Sequence, residues 1–431
     1  MLSTLPENIS IEIGAALTLG VMMTLFCIIL PLLILYPRKQ LAELKGILGA
    51  ENMHPWLFYG VAIIWAGVAL FLLCGLMLTI GRVVFSAFPI TDENLVKARF
   101  GLLSVAAITA TLAAVIALPF SLLRARDMHR QTTAQEEDLL TTRINEAVTA
   151  LGSQKEYSYV RRAKVYTETR PNLEVRIGAI LALERLAQKN LDVHIQIMEI
   201  LCAYVRENAP ASEARALNAF EARNDTSNHQ SRSKNYRNML RDWIGTLPPT
   251  RADIHGALKV IGRRTQEQQT IEANFHRENL DIDWPFAEEF PEPGDIRSSQ
   301  QEDNYSEKIK PYLDRFGAYT GYRIDLRETN LQAAQLEKFD LRGCDFRGAC
   351  MQGALLRNTQ LQGALLQNAQ LQGAVARQAS LKGAALQQTC LQGTILWEAQ
   401  MQGADLQGAQ MQLADTWNTQ MQGAKLKGRI T

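Results

Sequence analysis

The sequence predicts a multi-domain membrane protein with three transmembrane α-helices, an α-helical middle and a C-terminal coil built from a short repeat. Three observations lead there. Ile13–Tyr36, Trp56–Ile80 and Phe100–Leu123 each run for about 24 residues without a charge, and about 20 apolar residues suffice to cross a bilayer. Between Met128 and Thr265 apolar residues return at helical spacing. From Leu326 to Leu426 a large residue recurs at every fifth position, with a small one two places before it. A period of five matches neither the helix nor the strand. It needs a repeating coil whose interior is filled by stacked side chains. Fixed short periods mark solenoids, which present surfaces more often than they perform chemistry.

The apolar spans come first in the chain. Pro31 and Pro119 lie inside spans, where they can kink helices. Tyr36, Trp56 and Tyr59 lie at span ends, as interfacial aromatics do. The first span lacks the positive start and small-residue cleavage site of a removable signal. Basic residues set the orientation. The N-terminal stub holds Glu7 and Glu12 but no Lys or Arg, whereas Arg38, Lys39 and Lys45 follow the first span and Arg124, Arg126 and Arg130 follow the third. Positive loops stay cytoplasmic, so the N-terminus is expected outside and the C-terminus inside. Arg82, Lys97 and Arg99 between spans two and three weaken the bias. No ionisable side chain lies within the spans. Ion pathways usually need such groups at depth, so the spans (domain 1–125) read as an anchor.

The middle domain, 126–265, contains helices over Glu136–Leu151, Asn172–Lys189, Val193–Asn208 and Asp253–Arg264. Pro171 is expected at the start of the second and Asp192 as the cap of the third. Tight connections suggest a HEAT-like helical pair. The polar run Asn224–Tyr236 reads as a flexible insertion. Residues 266–320, with Pro285, Pro291 and Pro293, read as a linker. Arg206 and Glu207, and likewise Glu184 and Arg185, either pair between helices or form a solvated face.

The coil, 321–431, must turn a corner every five residues. Gly supplies the positive φ of a type II turn cheaply, and Gly343, Gly353, Gly363, Gly373, Gly383, Gly393, Gly403 and Gly423 recur two places after the large residue. Lys338, Asn358, Gln378, Glu398 and Asn418 occupy a side that turns without Gly. Only Ala376 and Thr416 break the large series, while Ile324 and Phe339 break the small one and suggest an irregular first coil. These repeats resemble the pentapeptide-repeat family, which implies four repeats per coil, so residues twenty apart should stack. One side then reads Gln332, Gln352, Gln372, Gln392 and Gln412, an amide ladder. Another reads Glu337, Arg357, Arg377, Trp397 and Trp417. Trp and Arg are enriched in binding hot spots, so Arg357, Arg377, Trp397 and Trp417 are the candidate partner-binding residues. The competing reading is that the indoles merely cover the apolar coil edge.

Motifs such as Ala404-Asp405-Leu406-Gln407-Gly408 and Ala424-Lys425-Leu426-Lys427-Gly428 resemble the pentapeptide-repeat family. That resemblance implies a right-handed, four-sided β-helix with the large and small residues both inward, and a rod about 25 Å long at the strand-stacking spacing. Stretches such as Glu174–Leu186 and Ile197–Pro210 are similar to a segment of bacterial inner-membrane pentapeptide-repeat proteins. This implies a multi-pass inner-membrane location with the helical and repeat parts in the cytoplasm. Some members of the family mimic DNA with an acidic rod and bind topoisomerases. Here Glu398, Asp405 and Asp415 face Arg357, Arg377, Lys382, Lys425, Lys427 and Arg429 from Met351 onward, which argues against that role.

Catalytic signatures are sparse. Cys27, Cys74, Cys202, Cys344, Cys350 and Cys390 contain no C-x-x-C pair, and Cys344 reads as a core filler in a reducing compartment. The histidines have no i, i+4 partner, so no metal site is expected. Phosphate-loop, dinucleotide and nucleophile-elbow patterns are missing. No catalytic residue and no cofactor is expected. The net charge of +1 suggests no nucleic-acid partner. The sequence therefore points to a non-enzymatic, membrane-anchored interaction scaffold with an unknown protein partner, or to homo-oligomers through an uncapped C-terminal coil. The alternative is a membrane effector whose cytoplasmic part gates or perturbs the bilayer. Its mark would be loss of membrane potential on overexpression.

Overall fold

In the computed structural model, the described residues are 54–86, 92–161, 164–217, 229–275, 284–294 and 296–426. The span expected at Ile13–Tyr36 lies outside them. The chain divides into two compact units, 1–140 and 141–431.

In the first unit, α1 (Pro55–Ser86) and α2 (Asp92–Leu151) contain the other two apolar stretches. Both are long and apolar enough to cross a membrane. They lie side by side in opposite directions. The Trp65 indole donates to the Val115 carbonyl at 3.1 Å, and Gly101 lets Val83 approach its backbone. Their outward residues are apolar: Ile64, Phe100, Leu103 and Phe120 are each about two-thirds exposed. Hydroxyls on this surface are turned back onto the helix, as when Thr79 Oγ1 donates to the Gly75 carbonyl at 3.0 Å. That satisfies a polar group without solvent.

The second unit opens with a feature the helical pattern had hidden. Residues after α2 form an antiparallel hairpin, β1 (Gln154–Arg161) and β2 (Lys164–Pro171), paired from Gln154↔Pro171 to Arg161↔Lys164. Pro171 therefore ends a strand instead of starting a helix. α3 (Leu173–Lys189) and α4 (His194–Asn208) follow, joined by a 3-10 turn over Leu191–Val193. Asp192 sits in that turn and does not cap α4, whose N-cap is Val193. α6 (Ala252–Ile261) packs on both helices. Ile180, Leu183, Ile197, Leu201, Val205, Ile254, Leu258 and Ile261 are fully buried among them.

The flexible insertion is partly helical. α5 (His229–Gly245) covers its second half, while 224–228 lie outside the described residues. The described part of the linker is likewise structured. α7 (Gln266–Ala273) and α8 (Ser299–Gly317) both start with reciprocal capping boxes, on Thr265 and Ser298. Between them Trp284, Phe286 and Phe290 join Tyr305, Ile309 and Phe316 in a second apolar core. The prolines stiffen a segment whose aromatics are buried, so composition alone misled.

From Asp325 to Lys425 each residue at the start of a repeat pairs in parallel with the residue twenty positions on. Leu331 N donates to the Cys350 carbonyl at 2.7 Å and Leu355 N to the Ala334 carbonyl at 2.9 Å, a pattern kept along the rod. Large residues from Leu326 to Met411, and small ones such as Ala364 and Ala384, are buried. Threonines at small positions beyond the first coil are satisfied from the preceding coil: Thr359 Oγ1 donates to the Leu336 carbonyl at 2.8 Å and Thr394 Oγ1 to that of Leu371 at 2.8 Å. The first coil is regular in its backbone. Phe339 fits there by turning outward against Gly262, where a Cβ would lie 2.6 Å from the ring, and against His255, whose ring centroid is 6.3 Å away.

The helical module closes the start of the rod. Asn330 N donates to the Ala209 carbonyl, Ala211 N to that of Glu328 and Asp340 N to that of Gly262. Arg206 pairs with Asp325 of the rod and not with a neighbouring helix. Beneath this seam the buried Glu272 carboxylate lies 2.5 Å from Arg264 Nη1 and 2.9 Å from His194 Nε2. Arg264 also donates to the Ile261 and Asp340 carbonyls. Burial disfavours the Arg264 charge, but the Glu272 carboxylate outweighs it and holds the guanidinium pKa above its ordinary value.

Candidate interaction surface

Four corner columns run along the rod, and every corner from Glu328 to Gly423 has positive φ, whether or not it is Gly. Lys338, Asn358, Gln378, Glu398 and Asn418 adopt φ of 53° to 62°. Type II geometry therefore does not by itself explain why Gly is placed where it is. The flanking helices do. α8 and the segment before it press Phe286, Phe316, Leu313 and Ile309 onto the column from Gly343 to Gly423. α5 presses Ile244 and Leu240 onto Gly353, Gly373 and Gly393. A Cβ at Gly353 would lie 2.7 Å from Ile244 Cγ2, and one at Gly383 2.8 Å from Phe316 Cδ2. At Gly408, on a column without a helix, the nearest atom would be 3.5 Å away. The ten-residue glycine period records where helices dock.

The four candidate residues stand in one column beside the exposed corners Asn358, Gln378, Glu398 and Asn418. Arg357 Nη1 lies 3.3 Å from Glu337 Oε1 on the coil below. The Arg377 guanidinium carbon sits 3.8 Å above the Trp397 ring, close cation–π stacking. Trp397 meets Trp417 edge-on, with centroids 6.1 Å apart and planes at 68°. Trp417 is 63% exposed. Arg377 Nε and Trp397 Nε1 are out of solvent and have no hydrogen-bond partner. The structure thus stacks Arg377, Trp397 and Trp417, while Arg357, in the same column, pairs with Glu337 instead. The small core residue Ala376 lies under Arg377, and a void of about 10 Å³ opens beside it among Leu356, Leu381 and Leu396.

Amide groups line the neighbouring walls. Gln332 Nε2 donates to Gln352 Oε1 at 3.0 Å, but Gln352 donates diagonally to Gln370 Oε1 at 2.5 Å. The ladder therefore crosses between columns. Around the corner from the tryptophans a groove of about 850 Å³ runs between Gln360, Ser380, Gln400 and Gln402 on one wall and Glu289 and Glu292 on the other. Lys382 lines it, its pKa lowered by burial despite those two carboxylates. The sequence reading missed this groove because its outer wall comes from the supposed linker. Burial also pushes the Cys202 and Cys344 thiols up to about 12, so neither is a ready nucleophile. Among the described residues no group of His, Cys, Asp and Glu converges as a metal site would.

The family profile of pentapeptide repeats matches residues 324–362, 359–398 and 391–428, eight copies in all. The rod is a pentapeptide-repeat domain. Among solved structures, the chain is similar to a pentapeptide repeat protein (Rfr23) from the cyanobacterium Cyanothece 51142, at 29% identity over 26% of this chain and 65% of that one, with a TM-score of 0.18. It is also similar to a pentapeptide repeat protein from Nostoc Pcc 7120, at 26% identity over 26% of this chain and 94% of that one, TM-score 0.21. A pentapeptide repeat protein of the Arabidopsis thaliana thylakoid lumen shares 29% identity over 21% of this chain and 60% of its own, TM-score 0.16. The chain thus spans just under two thirds of the first and third of these structures. No curated protein matches it. The pentapeptide-repeat likeness stops at the rod, so it bears on that domain and not on the two apolar helices or the helical module.

Proposed function

We propose that this protein is a non-enzymatic interaction scaffold of a bacterial inner membrane. Three apolar helices anchor it, and a HEAT-like helical module and the pentapeptide-repeat rod stand in the cytoplasm and bind a protein partner. The Arg377–Trp397–Trp417 stack carries the reading. Two of the rod's corners are already occupied by the chain's own helices, whereas this column keeps a large exposed indole and two unpartnered donors. Aromatic and arginine anchors of this kind dominate interface energetics, because they bury large area with few rotatable bonds. The partner chemistry expected is a carboxylate-bearing apolar segment, with the acid meeting Arg357 or Arg377 and the apolar part meeting Trp417.

The test uses native membranes. A photo-crosslinking residue at position 417 should trap one discrete partner. Trp397→Ala combined with Trp417→Ala should lower that partner's recovery about tenfold or more, the scale of losing a hot-spot pair, while membrane extraction behaviour and rod stability stay unchanged. Equal recovery from the double variant would remove the reading.

A further inference from the structure

The β1–β2 hairpin has no role in the scaffold and an unusual composition. Every described position from Gln154 to Val160 and from Lys164 to Arg170 is exposed, on both faces. An isolated two-stranded ribbon is marginal in water, and among the described residues nothing covers it. One face carries the pairs Lys155↔Arg170, Tyr157↔Glu168 and Tyr159↔Tyr166, with Lys164 next along it. Tyr159 and Tyr166 stack with centroids 5.7 Å apart, and Lys155 and Arg170 lie 5.4 Å and 5.8 Å from the Tyr157 ring centre. Glu168 is bound to Arg170 at 2.7 Å, leaving the face cationic. The other face ends at the tip in Val160 and Val165, 72% and 70% exposed. In sequence, five basic residues stand against two acidic ones in 154–171.

We infer that this hairpin is a membrane-surface element that docks on anionic phospholipid headgroups of the bilayer holding the apolar helices; it rests on the membrane reading above. The composition of the ribbon fits such a surface. Its cations meet the phosphates, while the tyrosines and the exposed Val160 and Val165 rest in the interfacial belt. A nucleic-acid strand would use the cations and rings but leave the valines in water. A second copy would bring like-charged edges together.

The experiment compares full-length protein in vesicles of phosphatidylcholine alone and in vesicles of equal phosphatidylcholine and phosphatidylglycerol, read by amide hydrogen exchange. Exchange across 154–171 should be about tenfold slower in the anionic vesicles, return to the neutral-vesicle rate at high salt and lose its lipid dependence in Arg161→Gln/Arg162→Gln/Lys164→Gln. Protection at Trp56–Val84 is the internal control. If those residues are protected and the hairpin exchanges equally fast in both vesicles, the inference is overturned and the anchor stands. Hairpin protection that is equal in both vesicles and falls on dilution would assign it to another copy, which also overturns it. No protection at Trp56–Val84 would remove the membrane reading and this one with it.

Discussion

A single rod residue answers to two constraints at once, the corner's backbone and whatever stands over the corner. Gly383 and Gly408 separate them. Both have positive φ, 61° and 73°, but only Gly383 lies under Phe316 and Leu313. Gly408→Ala should cost about 1 kcal/mol, the left-handed penalty. Gly383→Ala adds a clash with a packed aromatic and should cost roughly 2–4 kcal/mol. Denaturant midpoints of the two variants check the difference, and equal midpoints would refute the footprint account. Ala376 is the reverse case. It occupies a large-residue position beside a small void, and Ala376→Val should raise stability by about 0.5–1 kcal/mol if the extra methyls fit without strain. A lowered thermal midpoint would show that the stack above has no room to give.

At the scale of elements, the seam between helical module and rod is ionic and buried, and such seams depend on every member. Glu272 is fully buried between Arg264 and His194. Glu272→Gln should cost about 3–5 kcal/mol, because it strands a buried guanidinium; a midpoint shift near zero would contradict the geometry. The seam also titrates. Burial alone would raise the Asp325 pKa, but hydrogen bonds from Arg327 and the Arg206 charge hold it down to about 2. Asp253 and Asp340 are lowered too, by Arg251 and Arg342 against their own burial. A depressed carboxylate stabilises the fold fully above its unfolded pKa of about 3.9 and loses that contribution as pH falls through the folded value. Stability should therefore decline between about pH 4 and pH 2, and Asp325→Asn should flatten part of that decline. An unchanged acid profile in the variant would place the effect elsewhere.

Across the whole molecule, sequence and structure agree where a pattern is local and repeated. Period five announces the rod because each coil meets only its neighbours, so every inward position obeys the same rule. Uncharged runs of about 24 residues announce α1 and the apolar part of α2 because length and polarity are properties of the segment itself. The Arg357–Trp417 column was legible because the pentapeptide-repeat resemblance implies four repeats per coil, which stacks positions twenty apart. The hairpin was not. Its two strands bury no face, so they leave no alternation of apolar and polar residues. Nor were the stretches 284–294 and 296–317, where prolines suggested a loose linker while the aromatics between them found a glycine-lined wall to pack on.

The sequence by itself determined the rod, its inward and outward residues, the apolar helices and, with the family resemblance, the candidate column, because each follows from a repeat or a run along the chain. Tertiary structure alone decided which corners carry helices, that the helical module seals the first coil, and which charges are buried at the seam. Those depend on contacts between residues far apart in the chain, such as Phe316 with Gly383 or Arg264 with Asp340, and no local periodicity records them.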